Sequence, residues 1–232
     1  MRDEVRRRRR TPGRDAAKVR LEPILLDAAP VTNVCYQSFD DELSKMEAGM
    51  RSTMWRRTDV PGMEACSINK GSAGIVISGM AIYASENAPV RIGYSVTCTS
   101  DWECSAATVD RWVGEDNLKI ALRRFEDGRW SANDQVIDGV DALLDIDLGF
   151  TPATNTNAIK RLNLGIGSSS EFTAVWLDDE SWTFKPLKQR YERLSSNAYK
   201  YVSVDSGYEA ELAVDDFGLV QVYPELWEIV KN

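Results

Sequence analysis

Apolar and polar residues alternate with a period of two over most of the chain. The clearest run is Val90-Arg91-Ile92-Gly93-Tyr94-Ser95-Val96-Thr97-Cys98-Thr99. Val90, Ile92, Tyr94, Val96 and Cys98 share one face, and the other face is polar or small, as in a half-buried strand. From Trp55 onward the same period predicts strands near 73–83, 102–113, 118–126, 134–138, 142–150, 160–166, 172–178, 181–185, 188–194, 198–204, 208–214 and 219–223. Turn formers separate them: Asn69-Lys70-Gly71-Ser72, Glu86-Asn87-Ala88-Pro89, Asp127-Gly128, Gly167-Ser168-Ser169-Ser170 and Asp215-Asp216-Phe217-Gly218. Strands this short and evenly spaced, with no long helical segment between them, predict an all-β domain built on one large antiparallel sheet. So many strands cannot lie flat, so the sheet should roll into an open barrel or spiral β-roll around a cavity.

The only helical spacing read from the pattern is near the start. Ser38-Phe39-Asp40-Asp41 resembles a capping box, and Phe39, Leu43, Met46 and Met50 follow on one face, predicting a short N-terminal helix over 39–50. Residues 1–50 are expected to be a basic tail, largely disordered apart from that helix, and 51–232 a single all-β domain.

Charge sharpens this division. Residues 1–20 hold nine Lys/Arg and three Asp/Glu, a balance of +6, which leaves 19 basic and 33 acidic residues, or −14, in the other 212. The run Arg6–Arg10 suits a solvated tail, or contact with RNA or anionic lipid. The acidic body repels phosphate backbones, which argues against sequence-specific nucleic-acid binding. No apolar run is long enough for a transmembrane segment, and no apolar stretch follows the arginines as a secretion signal requires. A cytoplasmic monomer is the expectation.

The chain has no histidine, which removes His-based triads, His metal ligands and His proton shuttles. Cys35, Cys66, Cys98 and Cys104 form no C-x-x-C pair, although Cys98 and Cys104 could meet across a tight turn. No cofactor or metal is expected: nucleotide-binding glycine motifs and calcium-loop spacing are both missing.

Candidate chemistry concentrates in residues 145–162. Read as a strand, Asp145 and Asp147 share one face, opposite Ile146 and Leu148. The stretch then runs through a Thr151-to-Asn157 loop to Lys160-Arg161. This brings Asp145, Asp147, Thr154, Asn155 and Arg161 together as candidate contacts for a polar, hydroxyl-rich group, with Arg161 placed to pair with Asp147. Arg190 and Tyr191 form a second candidate cluster, since arginine binds anionic groups bidentately. Two carboxylates at this spacing also suit an acid–base pair for carbohydrate or lipid chemistry. The seven tryptophans and eight tyrosines serve either core packing or a ring-lined cavity. An interaction domain with a filled core is the third reading.

Four stretches carry a resemblance. They are Trp55-Arg56-Arg57-x-Asp59-x-Pro61-Gly62-x-Glu64, Asp145-x-Asp147-Leu148-x-x-Thr151-Pro152-x-Thr154-Asn155-Thr156, Pro186-Leu187-x-Gln189-x-Tyr191-x-Arg193 and Gly218-Leu219-Val220-x-x-Tyr223-Pro224-x-Leu226-Trp227. Together they resemble the putative glycolipid-binding family of bacteria and some fungi, over about Trp55 to Val230. The resemblance implies a large antiparallel sheet rolled on itself, similar to bacterial lipoprotein carriers. It also implies non-catalytic binding of a lipid or glycolipid, and brings no catalytic residue with it. Two places depart from the family pattern. Residues 140–144 read Val-Asp-Ala-Leu-Leu where relatives carry a cysteine, and Trp102 is followed by Glu103-Cys104 where they often have Thr-Arg.

Overall fold

The computed structural model describes residues 50–86 and 88–231. The predicted tail lies outside them, as does the 39–50 helix except for its last residue, Met50, which opens the first strand. Fifteen strands form one sheet. The first eight are β1 (Met50–Arg57), β2 (Gly62–Gly71), β3 (Gly74–Tyr83), β4 (Val90–Cys98), β5 (Cys104–Val113), β6 (Asp116–Arg124), β7 (Trp130–Ala132) and β8 (Gln135–Val136). After β9 (Asp145–Leu148) and helix α1 (Ala153–Leu162) come β10 (Ser169–Asp178), β11 (Thr183–Arg193), β12 (Ala198–Ser203), β13 (Tyr208–Val214), β14 (Val220–Tyr223) and β15 (Trp227–Ile229).

The strand order is β8-β7-β6-β5-β4-β3-β2-β1-β15-β14-β13-β12-β11-β10-β9. The first and last strands of the domain therefore pair in the middle, with Trp55 opposite Ile229 and Arg57 opposite Trp227. Two meanders run outward from this seam, an N-terminal limb of β1–β8 and a C-terminal limb of β9–β15. The two edges, β8 and β9, are consecutive in sequence and joined only by residues 137–144. Eight residues reach at most about 3.5 Å each, so the edges must come close and the sheet must curl. Contacts between distant strands agree. The Arg111 guanidinium of β5 lies 4.5 Å above the Trp182 ring in the β10–β11 turn, and Trp102 before β5 meets Phe217 in the β13–β14 turn at 6.0 Å. Strand pairing does not close the sheet: β8 pairs only with β7, and β9 only with β10.

The alternating pattern explains the N-terminal limb. Ile68, Ile75, Ile77, Ala81, Ile92, Val96 and Val109 are buried on the concave side, and their sequence neighbours face outward. Two glycines are needed there. Gly74 has φ +125°, and a Cβ on it would lie 2.3 Å from the Cys98 carbonyl oxygen. A Cβ on Gly79 would lie 2.5 Å from the Tyr94 hydroxyl oxygen, so glycine lets that ring cross the sheet. A register shift near Cys98 leaves the Cys98 and Cys104 thiols 3.2 Å apart, both buried and free.

Two expectations need correction. Residues 160–166 are not a strand: 153–162 form α1, the helix among the described residues, and 163–168 connect it to β10. Its first turns, Ala-Thr-Asn-Thr-Asn, are poor helix formers. The helix forms because β9 and β10 are parallel, with Ala174 opposite Asp145 and Leu177 opposite Leu148, and parallel neighbours need a crossover. Pro152 stands at its start and Asn163, with φ +43°, ends it in the left-handed conformation. The second correction concerns the expected Thr151-to-Asn157 loop, whose residues from Ala153 onward belong to α1, which packs on β9. Asp145, Ile146 and Leu148 are all buried, because the strand is enclosed between the sheet and α1.

Candidate functional site

α1 is unusual in being buried along its polar residues. Thr154, Asn155, Thr156 and Asn157 are all below one-tenth exposed. Burial costs polar side chains unless they are hydrogen-bonded. Three of the four find partners inside the protein, while the Thr156 hydroxyl has none among the described residues. The Thr154 hydroxyl accepts the Leu148 N–H at 3.2 Å, and the Asn155 amide donates to the Tyr191 hydroxyl at 2.7 Å. Asn157 donates to Asp145 at 3.2 Å. Arg161, in the last turn, completes the shell around Asp145 with bonds of 2.9 and 2.6 Å. The expected Asp147–Arg161 pair is thus replaced by Asp145–Arg161. The reason is the crossover: the end of the helix packs beside the start of β9. Burial still pushes the Asp145 carboxyl above its usual range against the pull of Arg161.

Asp147, two residues further along the same face, has different surroundings. It lines a cavity of about 410 Å3 in the C-terminal limb, a size typical of small-molecule sites. Its carboxylate accepts one bond, 2.5 Å from the Gln189 amide. Loss of hydration raises its pKa to about 6, with Asp179 and Asp145 adding repulsion. Thr151, Pro152 and Asn155 form the cavity wall at the start of α1, and Trp176 and Leu187 come from β10 and β11. Tyr201, Tyr208 and Tyr223 close the far side as a ring cluster: Tyr208 and Tyr223 stack at 6.5 Å, and Tyr201 meets both edge-on. Trp227 and Asp205 complete the rim.

Of the residues singled out from sequence, Asp147 and Asn155 line this cavity. Tyr191 stands behind it, against Tyr201 at 5.3 Å, and Thr154 braces β9. Asp145 and Arg161 form an ion pair on the same face of β9, two residues before Asp147 and beside the end of α1. Arg190 lies between the buried Gln189 and Tyr191 on β11 and so faces away from the cavity. Sequence reasoning missed Trp176, Asp179, Tyr201, Tyr208, Tyr223 and Trp227. For the five rings the signal was the excess of aromatic residues, with no indication of which strands would converge, and Asp179 carried none.

The N-terminal limb reaches the cavity through a buried carboxylate. Glu64 is 1% exposed and its Oε1 accepts bonds from Tyr94 and from Thr151, the latter at 2.7 Å. Its Oε2 has no partner among the described residues. Burial raises its pKa to about 7. Nearby, Arg57 lies over the Trp227 ring at 5.2 Å and is bound to Asp59. The four sequence stretches from 55, 145, 186 and 218 therefore converge around one cavity.

The pattern of the family described as "Putative glycolipid-binding" matches residues 52–228. The chain belongs to this family. A DUF1089 family protein of Pseudomonas aeruginosa has a similar structure, with TM-score 0.65 and 26% identity over 73% of this chain and 92% of that one. A beta-barrel-like protein of Brucella abortus, with a DUF1849 domain of unknown function, aligns with TM-score 0.46 and 9% identity over 79% and 96%. No curated protein matches. The Cys104 N–H donates to the Leu144 carbonyl at 2.7 Å, which joins the start of β5 to the segment before β9. No helix among the described residues is long and apolar enough to cross a membrane.

Proposed function

We propose that the cavity holds the polar headgroup of a lipid or glycolipid, without chemistry on it. The observation that carries this reading is the lining itself: ring faces from Trp176, Tyr201 and Trp227 beside hydrogen-bonding groups from Asp147, Thr151 and Asn155. Rings cover the apolar faces of a sugar while carboxylates and amides take its hydroxyls. Membership of the family supports the same class of ligand. The curled interior is filled by packed side chains from both limbs, which leaves the cavity to the headgroup rather than the acyl chain. The enzyme reading built on Asp145 and Asp147 is weakened, because Asp145 is committed to Arg161 and Asn157. In this reading residues 51–232 are the binding domain, acting as a cytoplasmic monomer.

Thermal shift with lipid-stripped protein tests it. Alkyl glycosides should raise the melting temperature more than free sugars or fatty acids. At a concentration one hundred times Kd the gain should be about 2.7 kcal/mol. Tyr201→Ala should remove the shift while the protein still folds. If no amphiphile stabilises the stripped protein, the proposal fails.

A further inference from the structure

The charges around the cavity say more about the ligand than its size does. Asp147, Asp179 and Asp205 line it, and no Lys or Arg does among the described residues. The cations nearby are already engaged. Arg161 is bound to Asp145 at 2.6 Å, Lys185 to Asp178 at 2.5 Å, and Arg57 to Asp59 with its guanidinium over Trp227. The one partner of Asp147 is a neutral amide. Burial also raises the Asp179 carboxyl above its usual range. Asp147 is thus withdrawn from water without a counter-charge from the protein, and Asp179 has only the already engaged Arg57 as a nearby cation. Asp205 stands exposed at the rim, and tyrosine and tryptophan faces stand beside them.

A ligand cation would relieve this arrangement. An ammonium group donates charge-assisted bonds to a carboxylate and is attracted to ring faces. A phosphate, sulfate or carboxylate would meet like charges in a poorly screened cavity. We infer that the cavity selects a headgroup bearing a positively charged amine, such as an amino-sugar, over its neutral and anionic counterparts. The inference rests on the headgroup reading above.

The test compares four amphiphiles of one chain length by calorimetry on the full chain at about pH 7.5. They are an alkyl glucoside, its 2-amino counterpart, the N-acetylated form of that amine, and the glucoside 6-phosphate. The amine should bind roughly tenfold or more tighter than the glucoside and the N-acetyl form, with the phosphate weakest. Asp147→Asn should reduce the preference to within roughly twofold. A pH series gives an answer that needs no variant. As pH falls through about 6 the Asp147 carboxyl takes up a proton, so the amine should lose its advantage while the glucoside keeps its affinity.

The other groups facing Asp147 do not produce this change. Tyr191, Tyr201 and Tyr223 are held neutral by burial, which raises their pKa values. Gln189 does not titrate, and Asp145 is tied to Arg161. Of the remaining carboxyls in the lining, Asp205 is exposed at the rim, and Asp179 repels Asp147, so Asp179→Asn should move the pH midpoint downward while the amine keeps its preference above it. If the glucoside binds and the amine binds no tighter, the inference is overturned and the headgroup reading stands. If none of the four binds, both fall.

Discussion

The two limbs of the sheet share one backbone architecture and differ in what they enclose. β2 to β6 are nine or ten residues long, and the concave side they present is almost entirely apolar, with Glu64 as its buried carboxylate. The C-terminal limb has strands of three to eleven residues, a buried polar helix, and tyrosines and carboxylates around a cavity. The difference shows that a regular, dry limb can serve as the rigid backing for an irregular, polar one. Where the limbs meet, the contacts mix the two kinds. Phe150 stacks on Trp182 at 5.9 Å and meets Tyr94 edge-on at 5.7 Å, and Thr151 hydrogen-bonds Glu64.

The sharpest challenge to this contrast is the buried ion pair. Arg161→Gln would leave Asp145, at 2% exposure, as an uncompensated charge, and should cost about 3–5 kcal/mol in urea denaturation. Arg56→Gln removes a pair of similar length to Glu228 that is exposed on both sides, and should cost less than about 1 kcal/mol. Equal losses in the two variants would mean that the polar interior of the C-terminal limb is solvated. In the dry limb, Ile77→Ala should cost about 2–5 kcal/mol through its cavity and leave amphiphile affinity unchanged. A change in affinity would show that the limbs are energetically coupled.

The pH dependence of stability comes next in size. Glu64 and Asp147 both have folded pKa values raised above their ordinary ones, to about 7 and about 6. The folded state therefore holds protons that the unfolded chain releases. The stability these groups contribute is present at acid pH and is lost as pH rises from about 4 to about 7. Glu64→Gln should flatten most of that slope, and Asp147→Asn the lower part. Each should raise stability at pH 8 by on the order of 1–3 kcal/mol relative to the parent. Denaturant midpoints between pH 4 and 8 would reveal this, and a parent protein more stable at pH 8 than at pH 5 would contradict the sign. The smallest effect should belong to Arg190→Gln on the outer face, within about 0.5 kcal/mol and without effect on binding.

The same contrast explains what could be read from the sequence. Period-two alternation predicts β3, β4, β5 and β6 to within two residues, because one face of each packs on the core and the other meets solvent. It fails at 151–166, where the chain is buried all round over 151–159 and then emerges at the surface. There the Thr-Asn repeat reads as a loop, although the Pro152 start, the basic last turn and Asn163 were available as helix signals. At the candidate site, Asp147 and Asn155 stood out because local chemistry marks them. The ring cluster did not, because Tyr201, Tyr208 and Tyr223 come from three neighbouring strands whose pairing register the alternation does not give.

The seam between β1 and β15 bears on how the protein folds. Within each limb most pairings are between neighbouring hairpin strands, which form early at little loop-closure cost. The seam joins residues as far apart as Arg56 and Glu228, whose numbers differ by 172, so it closes last, after the two limbs have formed. Trp55 marks that closure, being fully buried with its indole N–H donating to the Val220 carbonyl at 2.7 Å. In stopped-flow kinetics, Trp55→Phe should speed unfolding and leave the refolding rate almost unchanged, as expected of a contact made after the transition state. A slowed refolding limb would instead make the seam the nucleus from which both meanders grow.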